Sequence, residues 1–334
     1  MLNKLLPGNS NRRHLLKRWL FAPKVPPHIS KKFISIPDSK LDMIGESLRC
    51  NFFSQSPNGW LSSELGKQDF QDHLLSRLEE NRRYRIPWLD HANPLSGSRV
   101  LEIGCGTGAS TVALAEQAAH VVAIDIDDLA LLDARKRCEV YGLEVDFIKI
   151  NATQVSDVLD GEKFDFIIFW ACLEHLTVDE RLSAIKSTYE MLAPGGLWCV
   201  TDSPNRLWVH DFHSSLLPFF MWLPDQLAIQ YARFSPRQRF RDAFGGDECD
   251  DLNLRLARLG RGVSFHEFAL SIDHPENLDV VSCMEIFNRH QRILSRLKWS
   301  LSSMRLIETI LYKSAPSIHR GFFQQNLDLI LRKH

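Results

Sequence analysis

The stretch Arg99–Ser110, RVLEIGCGTGAS, constrains the fold more than any other part of the chain. Val100-Leu101-Glu102-Ile103 reads as a short buried strand, and TGASTVALAEQAA from Thr107 onward reads as a helix. Three glycines at alternate positions, Gly104, Gly106 and Gly108, join the two. A glycine-rich bend between a strand and a helix N-terminus suits a ligand that must touch bare backbone. Dinucleotides, phosphates and nucleosides all meet that description.

The chain continues this alternation. Strands are predicted at 99–104, 120–125, 145–150, 164–170 and 197–202, with helices at about 108–118, 127–141 and 178–192 between them. The strands are apolar throughout, as parallel strands covered on both faces should be. A helix precedes this unit from about Gln68 to Asp90, ended by Pro87 and NPLSGS, and LAPGG at 192–196 is a stop and turn. After Asp202 the regularity breaks into an aromatic, His- and Pro-rich segment at 203–245. A helix at about 247–259, a strand near 263–270 (VSFHEFAL), helices at about 279–298 and 300–313, and a last strand at 326–333 complete the reading.

Composition narrows the function classes. Of 334 residues 24% are charged and the formal net charge is -1, so nothing global favours nucleic acid. Seven cysteines (Cys50, Cys105, Cys138, Cys172, Cys199, Cys249, Cys283) show no CxxC spacing and read as reduced thiols of a cytoplasmic protein. The most apolar run, Leu216–Pro224, is too short to span a bilayer. The N-terminus differs: eight Lys or Arg precede the first acid, Asp38. That pattern fits a solvated basic tail, a peripheral membrane anchor through residues 1–37, or a transit peptide.

Gly104-x-Gly106-x-x-Ala109 with Asp125 also satisfies a relaxed dinucleotide fingerprint. Glu102 pulls against it, because an ionised carboxylate inside an apolar strand is costly without a cationic partner. The three alternating glycines leave a bend more open than a pyrophosphate needs.

VLEIGCGTG resembles the first motif of the class I S-adenosylmethionine-dependent methyltransferases, and the resemblance runs through about a hundred residues, with VVAIDID, KINATQV, FDFIIFWACLEHL and MLAPGGLWCVTDSPN in family order. It implies an α/β fold, a Rossmann-like seven-stranded sheet with helices on both faces and an antiparallel last strand. By that resemblance Glu102 orients the methionine end of S-adenosyl-L-methionine, and Gly104, Cys105, Gly106 and Gly108 form the cofactor bend. Asp125 takes the ribose hydroxyls, and Ile126 lies against adenine. Asn151 and Ala152 sit at the adenine edge, where an amide replaces the usual acid, and Trp170 stands at the exit of the fourth strand.

The expected organisation is a basic extension at 1–67, a core at 68–272 with a lid at 203–245, a helical insertion at 273–320 and a closing strand at 321–334. The acceptor is expected to be a small molecule, possible to reconcile with an amphipathic one, and not nucleic acid, since WACLEH stands where an Asn-Pro-Pro-aromatic motif would be. His175, His210 and His213 are the candidate bases. His210, Asp211 and His213 also have metal-ligand chemistry, but no further cluster at ligand spacing supports it, and no metal is expected. A nicotinamide-dependent oxidoreductase and an inactive nucleoside-binding protein of the same fold are the alternatives.

Overall fold

Strands β1 (Arg99–Ile103), β2 (His120–Asp125), β3 (Asp146–Lys149), β4 (Phe164–Trp170), β5 (Leu192–Pro204), β6 (Val280–Cys283) and β7 (Asn326–Arg332) form one sheet in the order β3-β2-β1-β4-β5-β7-β6. The computed structural model describes residues 33–245, 251–291 and 303–334. The first five strands run parallel to one another, and β7 runs antiparallel to both β5 and β6. Strand order reverses at β1, which lies between β2 and β4, and the carboxyl ends there form the crevice in which open α/β sheets bind ligands.

The uniform apolarity of the strands has a direct structural cause. Val100, Val121, Phe166, Ile168 and Cys199 pack into one core cluster, while their chain neighbours Leu101, Val122, Ile167, Phe169 and Val200 pack into a second. Successive side chains point to opposite faces, and both faces are covered.

Three sequence expectations are corrected. VSFHEFAL is a helix, Phe265–Ser271, because Ser264 and Glu267 form a capping box in which Ser264 Oγ donates to Glu267 Oε2 at 2.6 Å. The sixth strand, Val280–Cys283, lies where a helix was expected, and its β-branched pair forms the sheet edge beside β7. Pro87 does not end the first helix: the chain runs on helically through Ile86–Ala92, directly after the π turn Asn81–Arg85. Most of the basic tail, residues 1–32, lies outside the described residues, as does Cys249.

Residues 33–92 cover one face of the sheet and are fastened to it by buried polar groups. Asp133 accepts from Ser47 Oγ at 2.5 Å, Asn51 Nδ2 at 3.0 Å and the Phe52 amide at 3.1 Å. Arg82 pairs with Glu116, which also accepts the Ile34 amide at 2.8 Å. Arg137 is fully buried and donates to Thr107 O (2.8 Å), Leu74 O (2.9 Å) and His73 O (2.6 Å). It ties the glycine bend to the covering helix. Replacing Arg137 by Met should strand three buried carbonyls and cost more than about 2 kcal/mol. Urea unfolding of wild type and R137M checks this.

Candidate active site

A cavity of about 870 Å³ opens at the carboxyl ends of the central strands, bordered by the glycine bend, the ends of β2 and β4, the loop after β3 and the covering helix. The bend is fixed from behind, where the Gly104 and Cys105 amides donate to Ile124 O at 3.0 and 3.1 Å. Its second and third glycines are required for different reasons. Gly106 has a φ of 50°, and a Cβ there would meet nothing within 4 Å, so the backbone faces open space. Gly108 has a φ of 79°, and a Cβ there would come within 2.7 Å of the Ala134 Cα. Gly108 is not among the cavity's lining residues; its glycine serves close helix packing.

Glu102 lies behind the bend with no solvent exposure. Its Oε2 accepts the Thr111 hydroxyl at 2.6 Å, while Oε1 is buried without a hydrogen-bond partner. Burial pushes its carboxyl up to about 7 against the opposing pull of the Ser110 and Thr111 hydroxyls. Asp125, at the end of β2, accepts from the Gly106 amide at 2.7 Å and the Asp127 amide at 2.9 Å, and burial raises its pKa. It is spared helix capping, because Asp127 Oδ1 takes the Leu129 and Ala130 amides. Ile126 is 64% exposed on the cavity wall, and Cys105, Ala152 and Trp170 also line it. Asn151 lines the cavity too, with its carbonyl oxygen taken by the Thr153 amide and hydroxyl, each at 3.0 Å. That leaves the Asn151 amide nitrogen as its free polarity.

The covering helix supplies lining residues that sequence reasoning missed: His73, Arg77, Asn81 and Arg85, spaced four apart. An α-helix turns about 100° per residue, so every fourth residue drifts about 40° around it. Two π turns, Asp72–Ser76 and Asn81–Arg85, widen the winding and offset that drift. The regular four-residue spacing in the sequence is the signal that was available. His73 contacts Thr107 Oγ1 through Nδ1 at 3.1 Å, and burial depresses it to about 3, so it is neutral. Arg85 pairs with Asp202, which holds a left-handed φ of 58° near the end of β5 and donates its amide to Asp328.

The three candidate bases separate. His175 lines the main cavity, and its Nδ1 faces Arg258 O at 2.9 Å. A carbonyl only accepts, so Nδ1 carries the hydrogen and Nε2 the lone pair in the neutral ring. Burial lowers the His175 pKa, which keeps that ring neutral. His213 stands against His175 with ring centroids 5.5 Å apart, and burial lowers its pKa as well. His210 packs on Phe212, and His210, Asp211 and His213 line a smaller neighbouring cavity, not the main one. Among the described residues these three do not converge as a metal-ligand group. Asp211 is consumed by its own turn, accepting from the amides of His213, Ser214 and Ser215 and from both serine hydroxyls.

A different trio converges instead. One donor atom from each of Glu174, His175 and His213 lies within 4.8 Å of the other two. Glu174 is fully buried, its Oε2 accepts the Ser203 hydroxyl at 2.8 Å, and its Oε1 has no hydrogen-bond partner. Burial pushes Glu174 up to about 7.

Residues 100–196 match a sequence family described as a methyltransferase domain. A 112-residue stretch is 35% identical to a ubiquinone biosynthesis O-methyltransferase of Pseudomonas aeruginosa, covering 34% of this chain and 47% of that protein. A relative of the same name from Stutzerimonas stutzeri is 34% identical over 119 residues, covering 36% of this chain and 50% of that one. The chain thus spans about half the length of these curated relatives. Among solved structures, an S-adenosylmethionine-dependent methyltransferase from Clostridium acetobutylicum aligns with a TM-score of 0.38 at 18% identity, over 45% of this chain and 61% of that one.

Two buried carboxyls raised from 4.5 to about 7 have a consequence for the ligand-free protein. Between those values the folded state holds protons that the unfolded chain has released. The contribution of these two groups to stability therefore falls as pH rises from 4.5 through 7, opposed by that of His73, whose depressed pKa acts in the other direction. Glu102→Gln should flatten part of that slope, which urea midpoints measured from pH 5 to about pH 8 would reveal.

Proposed function

We propose that this chain, whose residues 100–196 match a methyltransferase domain, transfers a methyl group from S-adenosylmethionine to a small, amphipathic acceptor. The observation that carries this reading is the unpartnered Glu102 Oε1 buried behind an open glycine bend, with Asp125 fixed at the far side. A cationic amino group supplies the charge that Glu102 lacks, and a vicinal diol supplies donors to Asp125.

S-adenosylmethionine, when bound, supplies a methyl group already activated on a sulfonium. The chain's own task is then to align an acceptor atom and to remove a proton where one is released. In this reading Arg77 and Arg85 serve the anionic end of the ligand, and Ile126, Ala152 and the Asn151 amide serve the purine. His175 Nε2 is the base, with its lone pair fixed by the Arg258 carbonyl on the other nitrogen. His213 closes over it from the lid. The relatives' name, ubiquinone biosynthesis O-methyltransferase, supports an oxygen acceptor on an apolar carrier.

Calorimetry with S-adenosylmethionine, S-adenosylhomocysteine and NADH tests the premise. The first two should bind saturably, and Asp125→Ala should weaken both about a hundredfold through loss of charged hydrogen bonds. Binding of NADH alone would overturn the reading. His175→Ala should cut turnover on an extracted acceptor by about 10²-fold or more while leaving cofactor affinity unchanged. Because His175 must be neutral to act, wild-type turnover should rise with pH below its ordinary value of 6.5 and level off above it.

A second reading has a specific basis. Glu174, His175 and His213 are a two-histidine, one-carboxylate donor set, and Glu174 Oε1 is unpartnered. Turnover that survives EDTA assigns the trio to proton transfer. Turnover lost to EDTA and restored by Mn²⁺ or Zn²⁺ assigns it to a divalent cation.

A further inference from the structure

We propose that the outer face of the lid is a docking surface for an anionic lipid bilayer. The lid has its own apolar cluster, in which Leu217, Phe220, Met221, Ala228, Phe240 and Leu256 are buried. A second apolar set is left outside it. Phe212, Phe219, Trp222, Leu227, Tyr231 and Phe234 are exposed by between 38% (Tyr231) and 57% (Phe234). Leu227 and Tyr231 lie four apart on the helix Asp225–Tyr231, and Phe234 follows three residues later, so the three share one side. Two ring pairs sit within the set, Phe219–Trp222 at 5.0 Å and Tyr231–Phe234 at 5.3 Å between centroids.

Phe219 adds an independent observation. Its φ is 56°, a left-handed value that strains a non-glycine residue. Its amide donates to Val209 O at 2.6 Å, which holds that conformation. A strained backbone that presents a phenyl ring to water is doubly unfavourable in the isolated chain. A surrounding that accepts the ring removes one of the two costs.

Charge decides which surrounding. From Gln226 to Arg241 the chain carries four arginines, Arg233, Arg237, Arg239 and Arg241, and no Asp or Glu. Arg233, Arg237 and Arg239 are exposed, and the Arg233 guanidinium lies 4.9 Å from the Phe234 ring centroid. Aromatic and aliphatic side chains interleaved with arginine match the headgroup layer of an anionic membrane, where the rings reach the acyl boundary and the cations meet phosphate. A second copy of this chain on a twofold axis would bring the same arginines against themselves. The surface is also joined to the site, since Arg237 donates to the carbonyl of His213, the residue packed on His175. Bilayer docking stands apart from the methyl-transfer reading, because it needs neither cofactor nor acceptor.

The full chain should co-sediment with vesicles of phosphatidylcholine mixed with phosphatidylglycerol and stay in solution with phosphatidylcholine alone. Arg233→Gln/Arg239→Gln should weaken partitioning about thirtyfold, from about 1 kcal/mol for each arginine near the surface. Phe219→Ser/Trp222→Ser, at half-exposed positions, should remove binding while circular dichroism and thermal midpoint stay those of wild type. Wild type that fails to bind anionic vesicles, or a Phe219/Trp222 double variant that binds like wild type through the basic N-terminus, would overturn the proposal. Light scattering that finds a dimer abolished by the same double variant would overturn it in favour of self-association.

Discussion

Arg137 holds the rest of the structure in register. Its buried guanidinium joins the carbonyl of Thr107 in the glycine bend to those of His73 and Leu74 in the covering helix. Burial lowers its pKa only to about 10, so it remains a cation at neutral pH. A buried charge is costly unless its hydrogen bonds are met, and these three carbonyls meet them only when bend and helix stand at one separation. That separation sets the height of the cavity. His73, one of the residues so held, reaches back to Thr107 from the other side and completes the clamp.

Around that clamp the cavity walls carry both signs. Asp125 lines the glycine-bend side with Glu102 buried behind it, and the covering helix brings Glu80 beside Arg77 and Arg85, the last of these paired with Asp202. The lid adds a third element. Gly260 has a φ of 105°, and a Cβ there would come within 2.7 Å of the His213 ring, so glycine at this position admits the imidazole to the side of His175. Arg258, two residues earlier, pairs with Glu180 and also donates to the His175 carbonyl, fixing the same corner from the helix Leu252–Arg258.

Much of the fold was legible because its signals are local. The five parallel strands announce themselves as short apolar runs, and Gly142, with φ of 68°, closes the helix Asp128–Tyr141, whereas LAPGG, read as a stop and turn, opens β5, with Gly195 at a φ of 76° where the register against β4 shifts. Errors came where two local signals competed. VSFHEFAL has the aromatic content of a strand, yet Ser264 and Glu267 stand at capping-box spacing, and two satisfied helix-end donors outweighed the aromatic preference. Val280–Cys283 became a strand because β7 offered it an edge, which no window of its own residues could report.

The sequence by itself determined the strand-bend-helix unit, its two carboxylates and the apolar strands around them, because all of these are written in neighbouring residues. Only the tertiary structure decided that Gly108 faces Ala134 and not the cavity, that Asp211 is spent on its own turn, and that His213 meets His175 while His210 does not. Glu174 and His213 are thirty-nine positions apart in the chain, and their meeting depends on how the lid folds back over β4. Contacts between distant segments follow from packing of whole elements, and packing is a property of the assembled core that no short stretch of residues carries.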